Sequence, residues 1–352
     1  MTEKVVNIDA DKSHIIKLYA FDYLRVIALF MILYDHLGGF RNPDWIVKKT
    51  IDFFFTMPLN IIQDFGAFGV SLFFLISGFL FTYNGNYKHE VKKAVKKIIK
   101  TYVGCLMSFF WFYVLQNLVW MREATYWSQF SIRQWIESAT LVGYFITGSG
   151  DVINGTTWFL IPLFFFYLVR IGYAYIYEKI KPEWNILLLE FFVLMIMILS
   201  KEFHLAVSSE IVFVYMPLMG MILGEMFRNA RTLSIYKGIL LLLVNYMSMV
   251  VWFWVFVREY HDTNCYLISF MYSVFLIILF AVFKEWFKEN RLIGFLCKVS
   301  LSVYLMHMTF GSYLLTLFAD ISLPFSISFV ITTGIIFLIS YVHMNIMKRI
   351  TK

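Results

Sequence analysis

The chain has 352 residues, of which 60% are hydrophobic, 20% aromatic and only 15% charged. A soluble domain carries roughly 45–50% apolar and 25% charged residues, so a soluble fold of this composition would expose enough apolar surface to aggregate. The net charge of +7 lies in Lys and Arg scattered between apolar stretches. That pattern argues against nucleic acid as a partner and for basic loops facing anionic lipid headgroups.

A helix crosses a bilayer with about 20 mostly apolar residues. The sequence predicts ten such helices, over 18–38, 65–83, 101–119, 157–177, 185–200, 210–227, 238–257, 264–283, 299–319 and 326–346. The fifth is short. The apolar stretch 135–147 is too short to span and is placed at the interface. The first helix lacks a signal-peptide pattern and is expected to be retained. The expected fold is an all-α polytopic membrane protein. Residues 1–17 form a cytoplasmic N-terminal segment, 18–346 one transmembrane domain and 347–352 a cytoplasmic tail.

Basic residues set the orientation. With the N-terminus inside, 21 Lys and Arg fall in inside segments and 7 in outside ones. This split supports ten helices and both ends inside. The outside segment 120–156 carries Trp120, Tyr126, Trp127 and Trp135, as an interfacial belt would. Cys105, Cys265 and Cys297 are odd in number and form no CxxC, so neither a disulfide framework nor a metal site is expected.

Ionisable residues inside a membrane are costly and point to function. Arg25 and His36 lie eleven residues apart in the first helix. At about 100° per residue they share one face, roughly 16 Å apart along the axis. A fixed cation suits phosphate or a developing oxyanion, and an imidazole suits base work near neutral pH. Together they suit acyl transfer from an anionic donor to a hydroxyl. Asp22 also stands i,i+3 to Arg25 and is able simply to neutralise it. Asp35, adjacent to His36, points about 100° away and reads as solvating the helix end, so any carboxylate that orients His36 must come from elsewhere.

In the inside loop 84–100, Lys93, Lys96, Lys97 and Lys100 fall on one helical face. They are either ordinary positive-inside lysines or a cradle for acyl-CoA. Weaker candidates for lining the site are His307 and Tyr304 in the ninth helix, and Asn154 and Trp158 at the mouth of the fourth. Glu190 and Glu225 read as structural. No GxxxxGK[ST], HExxH or GxSxG occurs, which removes support for ATP-driven and hydrolase readings.

Four motifs in order resemble the membrane-bound acyltransferase 3 family, whose mostly bacterial members O-acylate surface glycans. They are Asp22-Tyr23-Leu24-Arg25-Val26-Ile27-Ala28 with His36, the run Gly69–Phe79, Trp158-Phe159-Leu160, and Leu301-Ser302-Val303-Tyr304-Leu305-Met306-His307. The resemblance covers about 18–346. It implies His36 as the essential histidine, Arg25 as its partner in function, and a basic pair after helix two on the acyl-CoA. Where the family has Arg-x-x-Arg, this chain has Lys97-Ile98-Ile99-Lys100, which keeps the charge and loses the bidentate fork. Thr157 replaces the family's His before the Trp.

The expectation is a multi-pass plasma-membrane O-acetyltransferase. Acetyl-CoA is the donor substrate, a surface or lipid-linked glycan is the acceptor, and no metal is expected. Membrane lipid and separate biosynthetic proteins are the other expected partners. A glycan exporter is the alternative; it calls for an inverted repeat, and the sequence shows none.

Overall fold

The computed structural model describes residues 19–59, 65–81, 83, 85–118, 130–146, 153–177, 179–205, 207–228, 233–257 and 263–351. Residues 1–17 and the belt residues Trp120, Tyr126 and Trp127 lie outside them. Among the described residues every regular element is helical.

Ten helices organise the bundle: α1 (Tyr19–Leu33), α2 (Phe65–Phe79), α3 (Tyr87–Leu118), α4 (Leu160–Ile176), α5 (Pro182–Glu202), α6 (Tyr215–Arg228), α7 (Ile235–Phe256), α8 (Thr263–Val282), α9 (Arg291–Asp320) and α10 (Phe325–Ile350). Each falls on one of the expected stretches. Seven are long and apolar enough to cross a membrane by themselves: α4 to α10, with α4 and α6 extended by the short turns before them. The other three fall short for visible reasons. α1 and α2 have only fifteen α-helical residues each. α3 has 32, but its first third is the lysine row. The fifth helix is not short: α5 runs 21 residues because Pro182, pre-organised for a first helical turn, starts it early. Length, apolarity and packing together make this a multi-pass membrane protein.

α2 is the centre of the bundle. It is apolar all round and almost wholly buried, as a helix surrounded by others must be. It packs against α1, α6 and α8. The α6 contact needs Gly220, where a Cβ would stand 2.2 Å from the Leu75 carbonyl oxygen. Close backbone approach through small residues is how helices associate without a hydrophobic drive. α9, the second organising helix, packs against α1, α3 and α10.

α1 does not end as an ordinary helix. Residues Tyr34–Gly39 wind as a π-turn, closed by the Phe40 N–H donating to the Asp35 carbonyl at 3.0 Å. Beyond it, the connection to α2 holds the short helix Ile46–Ile51 and a second π-turn, Asp52–Thr56. Phe53, Phe54 and Phe55 stand exposed there, as an interface-seated segment would show them. Within 135–147 there are two short helices, Ile132–Ala139, opened by a Ser131–Gln134 capping box, and Gly143–Ile146.

Candidate active site

The π-turn carries His36, and π-turns inside helices frequently mark functional sites. His36 Nδ1 lies 2.8 Å from His307 Nε2, with the two rings nearly parallel. His307 is fully buried on α9, and its Nδ1 lies 2.7 Å from the Tyr304 carbonyl oxygen. A carbonyl only accepts, so His307 Nδ1 carries a proton and donates it there. His307 Nε2 is then the acceptor, and His36 Nδ1–H donates to it. This leaves the lone pair of His36 on Nε2. The chain of bonds thus fixes the His36 tautomer and aims its basic nitrogen away from α9. The orienting partner is a histidine, not a carboxylate. Asp35 Oδ2 stands 3.8 Å from His36 Nε2, beyond hydrogen-bond reach and close enough to attract an imidazolium.

Local packing brings the rings together. A Cβ at Gly311, one turn beyond His307, would stand 2.5 Å from Leu37 Cδ2. With glycine there, the Leu37 side chain of the π-turn packs directly on α9; a Cβ would push its terminal methyls aside.

Arg25 also reaches α9. Its Nη1 donates toward Cys297 Sγ at 3.6 Å, and the Cys297 thiol donates to Asp22 Oδ1 at 3.3 Å. Arg25 and Asp22 are 3.8 Å apart, so the thiol is interposed in a loose pair. The other guanidinium nitrogens have no partner among the described residues. They border a cavity of about 140 Å³ between α1, α2, α3, α4 and α9. Its polar lining is Arg25, Ser77, Thr101, Tyr167, Ser300 and Tyr304. Tyr304 closes it toward the dyad: its ring packs 4.9 Å from Phe159 and 5.5 Å from His307, and its hydroxyl donates to the Thr156 carbonyl at 2.8 Å.

On the other side of the dyad lies a groove of about 440 Å³ lined by Tyr34, Asp35, Gly39, Phe40, Pro43, Lys48, Asp52, Thr56 and Phe65. Rings and carboxylates in one groove are the groups that bind hydroxyl-rich ligands. Neither space is lined by His36 or His307: the groove reaches Asp35, beside His36, and the Arg25 cavity reaches Tyr304, whose ring packs against His307.

The lysine row does not form one cradle. Lys97 Nζ sits 5.6 Å from the centre of the Tyr167 ring, a wall of the Arg25 cavity. Lys100 points instead into a different cleft, with Lys298 and Lys348. Lys93 is half-buried and Lys96 exposed. Three residues on a helix turn about 300°, which leaves Lys97 and Lys100 only about 60° apart; it is α9, packed against that face, that parts them.

Two expected lining residues are support instead. Trp158 is buried against Phe74, Phe213 and Tyr266 and lines none of these cavities. Asn154 is buried; its Nδ2 donates to the Leu305 carbonyl at 3.1 Å and its Oδ1 accepts from the Thr156 hydroxyl at 2.8 Å. It ties its loop to α9 one residue past Tyr304.

The chain matches the family model of the acyltransferase domain, acyltransferase 3, over residues 18–344. It belongs to the acyltransferase 3 family. Neither curated proteins nor solved structures gave a match. As a member of this family the chain is a membrane acyltransferase, and the His36–His307 dyad and the Arg25 cavity are its candidate machinery.

Sequence reasoning missed several groups of this acyltransferase. Glu90 and Arg170 form a buried ion pair joining α3 to α4, with the guanidinium 4.5 Å from the Phe81 ring centre. The signal was available: Glu90 is the only acid in 84–100. His343 on α10 is buried and bonded on both ring nitrogens. The cavity residues Ser77, Thr101 and Tyr167 carried no distinguishing pattern.

Proposed function

We propose that this protein is an O-acetyltransferase of the plasma membrane, moving acetyl from acetyl-CoA to a hydroxyl of a surface or lipid-linked glycan. Ten spans with both ends in the cytoplasm follow from the basic-residue split, which puts the lysine-rich end inside and His36 toward the outer face. Acetyl-CoA approaches from inside past Lys97, with Lys93, Lys96 and Lys100 adding positive potential. The acyl end enters the Arg25 cavity. Its volume of about 140 Å³ is about five waters' share of liquid, room enough for an acetyl group. The acceptor sits in the outer groove, whose carboxylates and rings suit sugar hydroxyls.

In the transfer, His36 Nε2 takes the acceptor hydroxyl proton as the oxygen attacks the thioester carbonyl. The C–O bond forms and the C–S bond breaks. The proton then passes to the departing thiolate, giving coenzyme A thiol and leaving His36 neutral. His307 Nε2 accepts from His36 Nδ1–H throughout and stabilises the transient imidazolium. Arg25, at the inner end of α1 and with spare donors, holds a phosphate of the donor. The group is completed on the acceptor by this chain or passed to a separate biosynthetic protein.

The observation that carries this reading is the dyad, whose hydrogen bonds leave His36 Nε2 as the basic nitrogen. Purified protein with radiolabelled acetyl-CoA and surface glycan tests it. His36→Ala is expected to fold in detergent and to abolish transfer. Full transfer by that variant refutes the role of His36. Mass spectrometry of surface glycans with and without the gene identifies the acceptor.

A further inference from the structure

Away from the dyad's surroundings, a cleft of about 290 Å³ lies between α3, α9 and α10. It is lined by Lys100, Lys298 and Lys348 at the lysine-rich end and by Leu301, Leu305, Met344 and Met347 beyond them. Three helices each contribute one lysine. None of the three has a carboxylate partner among the described residues.

The cleft is held open by a strut. His343 accepts from the Ser302 hydroxyl on Nδ1 (3.0 Å) and donates from Nε2 to the Gly104 carbonyl (3.1 Å). One neutral imidazole thus links α10 to α9 and to α3 and spends both nitrogens on spacing. A Cβ at Gly104 would stand 3.3 Å from Leu305 Cδ1 and 3.4 Å from Met347 Cε, so glycine keeps the wall thin. Leu301 also borders the Arg25 cavity and separates the two spaces.

We infer that this cleft binds one anionic phospholipid from the inner leaflet, with its phosphate among Lys100, Lys298 and Lys348. Its glycerol and upper acyl chain lie along Leu301, Leu305, Met344 and Met347. The assignment rests on charge and polarity order. Three uncompensated cations at the bilayer's inner interface attract a phosphate, and basic pockets between transmembrane helices bind lipid headgroups in this way. The apolar floor gives a lipid what a free phosphate does not use. About ten waters' volume exceeds what one phosphate group fills. The inference uses the proposed orientation and is independent of the acyl-transfer chemistry.

The test uses the full chain in nanodiscs of phosphatidylcholine with added phosphatidylglycerol. Native mass spectrometry after mild detergent release counts the retained lipid. The wild type is expected to keep one phosphatidylglycerol in preference to phosphatidylcholine. K298Q/K348Q is expected to weaken that retention roughly 30-fold, at about fivefold per removed charge, and K298R/K348R to restore it. Equal retention by wild type and K298Q/K348Q overturns the inference. Displacement of phosphatidylglycerol by coenzyme A overturns it in favour of donor phosphates, and displacement by inorganic phosphate in favour of a free anion. Failure of acetyl transfer in the same preparation leaves the lipid count to stand by itself.

Discussion

Removing His307 separates a general base from a merely present imidazole. His307→Phe keeps a buried ring and deletes two hydrogen bonds, the 2.8 Å bond from His36 and the 2.7 Å bond to the Tyr304 carbonyl. His36 then samples the tautomer with its proton on Nε2, which cannot act as base, and its imidazolium loses an acceptor. A buried partner of this kind is worth about 1–3 kcal/mol, which converts to roughly a 5- to 150-fold fall in kcat. His36→Ala removes the base itself and is expected to cost more, about 10² to 10⁴. His307→Gln tests the logic of donor and acceptor: its amide is able to accept from His36 and donate toward Tyr304, so it is expected to fall between wild type and His307→Phe. The assay is the initial rate of radiolabelled acetyl transfer, with thermal unfolding in detergent as the folding control. A folded His307→Phe with wild-type kcat refutes the dyad.

Arg25→Lys keeps the charge and loses the fork; a charged hydrogen bond worth about 1.5–3 kcal/mol predicts a 10- to 150-fold loss in kcat/KM for acetyl-CoA. Gly311→Ala forces its Cβ onto Leu37 and is expected to lower stability by about 1–3 kcal/mol, read as a reduced Tm, and to lower kcat by displacing His36. Asn154→Ala leaves the Leu305 carbonyl and the Thr156 hydroxyl without their partner, and a fall in Tm corresponding to about 1–3 kcal/mol is expected. Glu90→Gln strands the Arg170 charge and is expected to cost about 3–5 kcal/mol, whereas Glu90→Leu with Arg170→Met is expected to recover most of it. A double variant as unstable as the single one refutes the assignment of that cost to the unpaired charge.

Helix positions were legible because a span is a local property: among the described residues apolar length alone marks seven of the ten helices, and the other three fall on expected stretches without meeting it. Arg25 and His36 were legible because a regular helix puts them on one face, and both do contact α9. The π-turn was not, since no local pattern distinguishes it from the α-helix assumed in the 100° argument. The pairing of His36 with His307 was hidden for another reason. The two are 271 residues apart, and the contact depends on helix packing that Gly311 permits. The lysine row looked like one face because the spacing was read without neighbours. α9 lies against that face and parts Lys97 from Lys100. The contacts of Trp158 with Phe74, Phe213 and Tyr266 and of Asn154 with Leu305 were not legible, because a sequence shows that a polar or aromatic group is unusual and not which way it points.

The Glu90–Arg170 pair has a consequence for how the chain is made. The partners are separated by 80 residues, and both side chains end 2% exposed. At roughly 5–20 residues per second of synthesis, Arg170 leaves the ribosome about 4–16 s after Glu90. For that interval α3 carries a carboxylate whose counter-ion does not yet exist. Its own lysine-rich end keeps it at the water-facing border, where hydration costs nothing. α3 is therefore expected to wait loosely seated at the translocon until α4 arrives, and a ribosome paused between the two helices would leave an intermediate open to proteolysis at that border.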